Sequence, residues 1–201
     1  GLSPLLEIRD SDRHVAFVFD QRGTLRLRSR LEGATLLWEH RRADGDRFQR
    51  LAQHPFHGYA ETWVPQAFAA DNLTLWLISR EEHDRGALYA LNTQTFERGP
   101  PLFLPPEGEI TELITTRDRT RLLGVRYEAE RGRHHWFDAG RGALQAKLEG
   151  TFTGCDVRVT SMSDDENVAL IWASHDREPG VYYVLDRKAG SLTQFKRTRD
   201  L

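Results

Sequence analysis

The sequence has few residues of three kinds: its 201 residues include one Cys, one Met and, among 28 basic residues, three Lys. Because a single cysteine cannot form an internal disulfide, nothing in the chain requires an oxidising compartment. The sequence therefore predicts a cytoplasmic protein, while a periplasmic protein that contains little cysteine would have the same composition.

Long apolar runs and an excess of either charge are also absent. The longest runs, Val15–Phe19 and Val168–Ala173, are far shorter than the roughly 18–20 residues of a membrane-spanning helix. The formal net charge of −2 is too small to indicate a nucleic-acid or anionic-membrane partner. In contrast, 5 Trp, 5 Tyr and 10 Phe are enough to build a core, which excludes the disordered and fibrous classes.

One pattern occurs four times: a turn with Asp, an apolar strand, a polar turn with Gly, and a second strand. The anchors Asp12, Asp71, Asp118 and Asp165 are 59, 47 and 47 residues apart. The Asp-to-Gly distance is 11 residues in the first copy and 15, 14 and 15 in the others. The longer first interval is interpreted as a polar loop insertion, His40–Tyr59. A period near 47 with several short strands per copy is typical of β-propeller blades.

Each copy predicts a pair of strands around its glycine turn. The first strands of the pairs are Val15–Phe19, Leu73–Ile78, Leu122–Tyr127 and Val168–Ala173. Their partners follow Gly23, Gly86, Gly132 and Gly180. A further strand candidate ends each copy: Ala34–Trp38, Phe96, Ala143–Leu148 and Ser191–Phe195.

The pattern as a whole predicts an all-β fold, because helical periodicity is absent. We expect a partial β-propeller of about four four-stranded antiparallel blades. Residues 1–201 would form one propeller fragment, with repeats at approximately 8–52, 60–106, 108–150 and 155–198.

The segment Ser174–Gly190 resembles the last propeller blade of prolyl-oligopeptidase-family serine peptidases, especially the acylaminoacyl-peptidase-like branch. The residues that match the pattern of this blade in register are Asp176, Pro179, Gly180, Tyr182, Tyr183, Asp186 and Gly190. The earlier copies share the blade style of the family, and Trp63-Val64-Pro65 is similar to its blade opening.

The resemblance implies a propeller of seven or eight blades followed by an α/β-hydrolase domain, which would lie downstream of Leu201. No Gly-x-Ser-x-Gly nucleophile motif occurs in the chain, so no residue here is assigned a catalytic role. The implied function is non-catalytic: the propeller caps the active site of the parent peptidase and filters peptide substrates. The partners would be the hydrolase domain and those peptides. Two alternatives stay open, a protein-interaction propeller of the WD40 or TolB type and a lactonase-like propeller enzyme.

Two groups of residues have side chains of metal-ligating types. Asp164–Glu166 could supply carboxylates to a hard cation, but a solvated blade turn is the better interpretation. His54 and His57, with Glu61 nearby, have ligand residue types, but Pro55 between the histidines indicates a loop and not a converging helical pair.

The remaining candidates are also better explained by structure. His134 and His135 are neighbours on a predicted strand, so they point to opposite faces. Cys155 is predicted to be a small buried hydrophobe and not a nucleophile, since no histidine partner is evident. We therefore assign no catalytic, metal or cofactor residue and expect no cofactor.

Aromatic and arginine side chains are predicted to have packing roles. The five tryptophans are interpreted as core residues between blades: Trp38, Trp63, Trp76, Trp136 and Trp172. Arg26 and Arg28 alternate with leucines, which indicates the polar face of a strand. Because the first and fourth copies look as apolar as the inner ones, we expect the fragment to self-associate through uncovered blade faces.

Overall fold

The computed structural model describes residues 14–56, 62–175 and 178–198. These residues form one helix, α1 (Ala139–Thr151), and fourteen strands. The strands are β1 (His14–Phe19), β2 (Leu25–Glu32), β3 (Thr35–His40), β4 (Gln49–Pro55), β5 (Trp63–Phe68), β6 (Thr74–Ser79), β7 (Ala87–Asn92), β8 (Glu109–Thr115), β9 (Leu122–Glu128), β10 (Gly132–Trp136), β11 (Asp156–Met162), β12 (Val168–His175), β13 (Glu178–Asp186) and β14 (Ser191–Arg197).

The described strands form four antiparallel sheets, which we call the first to the fourth in chain order. Their strand orders are β1-β2-β3-β4, β5-β6-β7, β10-β9-β8 and β11-β12-β13-β14. This arrangement confirms the all-β prediction and matches a partial β-propeller. Two of the sheets have three strands in the described residues, where four were expected. The chain forms two compact units, residues 1–122 and 123–201, and each is considered by itself.

The predicted strand pairs are confirmed. The four predicted first strands coincide with β1, β6, β9 and β12. Their antiparallel partners β2, β7, β10 and β13 contain or follow the predicted glycines. No helix in the described residues is long and apolar enough to span a membrane.

The predicted alignment of the first copy with the other three copies is wrong by one strand. Ala69 N–H donates to Thr74 O, and the peptide group of Asp20 makes the matching bond to Thr24 O, so the turn after β1 corresponds to the turn after β5. The residues of the four turns with positive φ are Gly23, Asn72, Arg119 and Glu166. Their spacings are 49, 47 and 47 residues. The repeat is therefore nearly uniform, and Asp12, which lies outside the described residues, is not its first anchor.

The predicted insertion His40–Tyr59 is not one loop. Within it, β4 pairs antiparallel with β3 and completes the first sheet. All seven β4 residues are exposed or half-buried, and for this reason the sequence of the segment resembles a polar loop. The last residues of the predicted insertion lie outside the described residues.

The predicted strands at Ala143–Leu148 and Phe96 are also wrong. The first of these segments belongs to α1, where the Asp138 side chain accepts a hydrogen bond from Arg141 N–H and caps the helix. Phe96 lies in a turn with a φ of 62°. Beyond it, two isolated bridges continue the second sheet in the part of the chain that the structure describes, at Leu88–Phe103 and Leu91–Arg98.

Each unit has its own apolar core. In the first unit, Leu27 and Trp38 of the first sheet pack with Trp63, Leu75 and Leu77 of the second. In the second unit, α1 covers one face of the fourth sheet, and the buried side chains are Leu144, Leu148, Val157, Ala169, Ile171 and Ala173. The other face of the fourth sheet is therefore the one that α1 leaves uncovered.

Candidate functional site

The acidic segment Asp164–Glu166 lies in the turn between β11 and β12. The Asp165 carboxylate accepts bonds from the Asn167 amide side chain, from Ser163 Oγ at 2.7 Å and from Asn167 N–H at 3.1 Å. These bonds lower the pKa of Asp165 to about 2. Asp118 makes equivalent bonds in the preceding turn, so these carboxylates stabilise turns. Among the described residues, no group of three or more potential ligands could hold a metal ion.

His54 lies on β4, with Nε2 3.8 Å from Glu81 Oε1. Glu81 is also bound by the Arg98 guanidinium at 2.7 Å. Burial lowers the pKa of His54, and the Glu81 carboxylate partly opposes that effect. His57 and Glu61, the other members of this candidate set, lie outside the described residues.

His134 and His135 project from opposite faces of β10, as their positions in sequence predict. The His134 side chain is 5% exposed and stacks on Trp136 with ring centroids 5.4 Å apart. Burial, followed by the charge of Arg126, lowers the pKa of His134. His135 is exposed. The two rings therefore do not form a shared ligand pair.

Cys155 is a half-buried free thiol directly before β11. It packs against the core between α1 and the fourth sheet, beside Phe152. Its backbone N–H donates to Phe152 O at 3.0 Å. The residue thus occupies a packing position, close to the buried hydrophobe that its sequence context predicts.

Arg26 differs from its sequence prediction, because it is buried and not part of a solvated strand face. Its Nη1 lies 3.2 Å from Asp20 Oδ2, and both side chains are about 95% inaccessible. The same guanidinium reaches His40 Nε2 at 3.4 Å. Burial, together with the charges of Arg26 and Arg42, lowers the pKa of His40 to about 4. This polar cluster stabilises the first unit and presents no accessible reactive group.

Three of the five tryptophans are buried as predicted: Trp38, Trp63 and Trp76. Trp63 is the first residue of β5 and does not precede the strand. Trp136 packs over Gly124 and stacks on His134, and both Trp136 and Trp172 are half-exposed.

A row of four large side chains crosses the fourth sheet at Trp172. Direct strand partners define the row Arg158–Trp172–Tyr182–Lys196 across β11, β12, β13 and β14. Because side chains alternate along a strand and Ile171 and Tyr183 face α1, the row lies on the opposite face. We call this the Trp172 face; it comprises Arg158, Leu170, Trp172, Tyr182, Val184 and Lys196.

The Trp172 face is preorganised by its neighbours. The Arg158 guanidinium carbon lies 4.3 Å from the centroid of the Trp172 ring, in cation–π geometry. On the other side of the ring, Gly180 leaves room for the indole, since a Cβ there would overlap Trp172 Nε1. The indole is thus held flat on the sheet before any partner binds.

The positions of the second sheet that correspond to the apolar residues of the Trp172 face are buried. The two sheets are aligned on the turn residues with positive φ, Asn72 and Glu166. The residues of the second sheet that correspond to Leu170, Trp172 and Tyr182 are Trp76, Ile78 and Leu88. Their exposed fractions are 5%, 8% and 0%. The three residues of the fourth sheet are half-exposed instead. The Trp172 face therefore repeats a surface that is buried elsewhere in the chain, but here the described residues leave it partly open.

The first sheet carries charges where the later sheets carry apolar side chains. Arg28 and Glu39 are strand partners, and Arg28 Nε lies 2.8 Å from Glu39 Oε2. The pairs at the same place are Leu77–Tyr89 in the second sheet and Ile171–Tyr183 in the fourth. Phe48 stacks on Arg28 at 4.2 Å and covers part of this face. The expectation that the first copy stays apolar is therefore wrong for this face.

Sequence could have indicated the Trp172 face only in part. The adjacent pairs Ile171–Trp172 of β12 and Tyr182–Tyr183 of β13 show that both faces of these strands are apolar. Which face stays open depends on α1, which the sequence pattern did not reveal.

Comparisons with known proteins support the fold. A search against protein-family models found none that matches, and a search of curated proteins found no similar sequence. Among solved structures, the chain is similar to TolB from Acinetobacter baumannii, a β-propeller protein, with a TM-score of 0.53 and 13% identity. The match covers 96% of this chain and 46% of that one. The chain thus spans less than half the length of this neighbour, and at this identity the similarity establishes the propeller fold alone.

Proposed function

We propose that this chain is a non-catalytic β-propeller module that binds another protein through the Trp172 face. The observation that carries the proposal is the strand pair Trp172–Tyr182, which is half-exposed at positions that are buried in the second sheet. Trp, Tyr and Arg are the residue types that most often dominate the energy of protein interfaces. A propeller similar in fold to TolB fits this role.

The packing of the Trp172 face supports the same function. Because Arg158 and Gly180 already fix the indole, binding would cost little side-chain entropy. The chain offers other exposed apolar residues, such as Phe19 at 47% and Phe195 at 67%. These stand singly, whereas the Trp172 face is a continuous surface across four strands.

Affinity capture with matched variants tests the proposal. We would compare the wild-type chain with Trp172→Ala and with the control Phe19→Ala, which removes an exposed aromatic ring from the first sheet. A true partner should be retained by wild type and control, and lost or weakened about 30-fold or more by Trp172→Ala. The captured protein would then be purified and its dissociation constant measured by calorimetry. Equal binding to all three chains contradicts the proposal.

A second proposal is that the module belongs to a prolyl-oligopeptidase-like serine peptidase and filters its peptide substrates. The support is the match of Ser174–Gly190 to the blade pattern of that family. In the structure, Gly180 accommodates Trp172, while Asp186 accepts a bond from Ala189 N–H and Gly190 has a φ of 64° in the β13–β14 turn. These matched residues serve blade geometry, so the motif supports the fold more strongly than it supports the activity. Asp176 lies outside the described residues.

Genomic sequence tests the second proposal most directly. A Gly-x-Ser-x-Gly motif about 100–150 residues beyond the codon for Leu201 would support a peptidase parent. The chain itself should not react with a serine-directed fluorophosphonate, and stoichiometric labelling of any of its serines would contradict the non-catalytic assignment.

A further inference from the structure

His134 lies in a closed site between β10 and α1. Its side chain is 5% exposed, and its ring stacks on Trp136 with the centroids 5.4 Å apart. A Cβ added at Gly142 would lie 3.3 Å from Trp136 Cβ, so the beginning of α1 lies against this same face of β10. Within the described residues, His134 Nδ1 makes no hydrogen bond. Protonation would therefore place a charge in a site that water hardly reaches.

A cation lies directly beside His134. Arg126 of β9 is its strand partner, so the two side chains are neighbours on one face of the third sheet. The Arg126 guanidinium is held by Asp156 Oδ2 at 2.9 Å. The other described charges that act on His134 belong to Glu149 of α1 and to Asp156 and Arg158 of β11. A protonated His134 would thus repel a cation that an ion pair holds in place.

The nearby carboxylates offset this repulsion only in part. Glu149 Oε1 lies 3.9 Å from His134 Nδ1, beyond hydrogen-bond distance, and the Glu149 side chain is 56% exposed. The same oxygen accepts a hydrogen bond from Gln145 Nε2 at 2.8 Å. Glu128 lies 3.5 Å from Arg126 Nη2 and acts mainly on that cation. Burial and Arg126 therefore outweigh the carboxylates, and the pKa of His134 is lowered.

Helix α1 is held in place by few contacts. Its buried apolar residues are Leu144 and Leu148, and Gln145 Nε2 donates to Val157 O at 2.8 Å. Three of its thirteen residues are glycines, and an isolated helix of this length is marginally stable in water. Such an element can open locally while the strands of the fourth sheet stay paired.

We propose that His134 is a pH-sensitive latch for α1: protonation of its imidazole, beside Arg126, releases the helix from β10 and from the fourth sheet. In the open form water reaches His134, and the ring binds a proton near its ordinary pKa of 6.5. The closed form is therefore fully favoured above about pH 6.5 and loses stability as the pH falls toward the lowered pKa. Release uncovers the face of the fourth sheet that includes Val157 and Ile171.

Amide hydrogen exchange measured by mass spectrometry tests the latch. The protection of the α1 amides would be compared at about pH 7 and about pH 5, after correction for the intrinsic exchange rate at each pH. We expect the protection to fall at the lower pH by up to about 25-fold, the limit for one group that binds its proton only in the open form. Protection of β12 should not fall in parallel, because this strand stays paired with β11 and β13.

Variants assign the effect to His134. In His134→Gln, the difference in α1 protection between the two pH values should disappear. The control His135→Gln changes the exposed neighbour on the other face of β10 and should retain the difference. Glu149→Gln removes a carboxylate that favours the protonated ring, so α1 should lose at least as much protection as in the wild type. This variant tests the latch even if His134→Gln does not fold.

Four results would overturn the inference. One is equal corrected protection of α1 at the two pH values, and another is the same loss in His134→Gln as in the wild type. A smaller loss in Glu149→Gln than in the wild type also contradicts the latch. A parallel loss in β12 would show that the second unit unfolds as a whole and that α1 is not released separately.

Discussion

The backbone of Gly180 lies directly against the indole of Trp172, so that a Cβ at position 180 would overlap the ring nitrogen. Backbone and ring therefore depend on each other: the glycine permits the flat indole, and the indole covers the glycine, which is buried. This pair connects the blade motif of the sequence with the proposed docking surface.

Gly180→Ala should force the Trp172 ring away from the sheet. We expect a loss of about 1–3 kcal/mol in the free energy of unfolding, typical of overpacking, and a change in tryptophan fluorescence. The measurement is urea unfolding monitored by fluorescence. Gly150→Ala is the control, since a Cβ at this helical glycine meets no atom within 4 Å. That variant should be neutral or stabilising by up to about 1 kcal/mol.

Arg26→Met should strongly destabilise the first unit. The substitution leaves the Asp20 carboxylate buried without its cation, which typically costs about 3–5 kcal/mol. Arg28→Met removes a more accessible ion pair with Glu39 and should cost about 1 kcal/mol or less. Chemical unfolding of the two variants measures the difference, and equal losses would show that the Asp20–Arg26 pair is not the stabilising contact.

Stability should depend on pH through His40. Its pKa is lowered from 6.5 to about 4 in the folded chain, so the unfolded state binds the proton first as the pH falls. The contribution of His40 to the free energy of unfolding is therefore fully present above about pH 6.5. It is lost progressively as the pH falls to about 4, and the loss is at most about 3 kcal/mol. His40→Gln should remove this part of the slope. Identical slopes in the two proteins between pH 4 and 6.5 would contradict the assignment.

The charged face of the first sheet should oppose association. In Arg28→Leu/Glu39→Leu, the positions would resemble the Leu77–Tyr89 pair of the second sheet, and we expect new self-association. Sedimentation velocity at micromolar concentration measures this, with Glu112→Leu, at an exposed position of β8, as a single-site control. If the double variant sediments like the wild type, the charges do not have this role.

Sedimentation of the wild-type chain addresses the prediction of self-association made from sequence. That prediction assumed two apolar terminal faces, and the Arg28–Glu39 pair removes one of them. With one of the two faces charged, we expect a monomer in the micromolar range. A stable dimer would support the original prediction.

The strand pairs were predictable because apolar residues cluster between turn residues whose backbone has few alternatives. Asp71, Asp118 and Asp165 accept bonds from residues that follow them, and each precedes a residue with positive φ. The first turn has the same geometry with a different sequence, since Gly23 supplies the positive φ and Asp20 the carboxylate. Alignment by aspartate alone therefore selected Asp12.

Helix α1 was not predictable from periodicity alone. Its buried residues are Leu144, Gln145 and Leu148, of which two are apolar, and three glycines lower its helix propensity: Gly140, Gly142 and Gly150. Its formation depends on packing against the fourth sheet. The Trp172 face could not be assigned for the same reason, because a strand with two apolar faces does not show which one its neighbours cover.

The difference between the Trp172 face and the Arg28–Glu39 face of the first sheet also limits how copies of the chain can polymerise. Open fibres form when one surface of a molecule fits a different surface of the next and the contact repeats without closing. If the Trp172 face of one copy approached the Arg28–Glu39 face of another, it would strip water from an ion pair and gain little apolar contact. The chain can thus keep an exposed aromatic surface without offering its own copies the complementary surface that fibre growth requires.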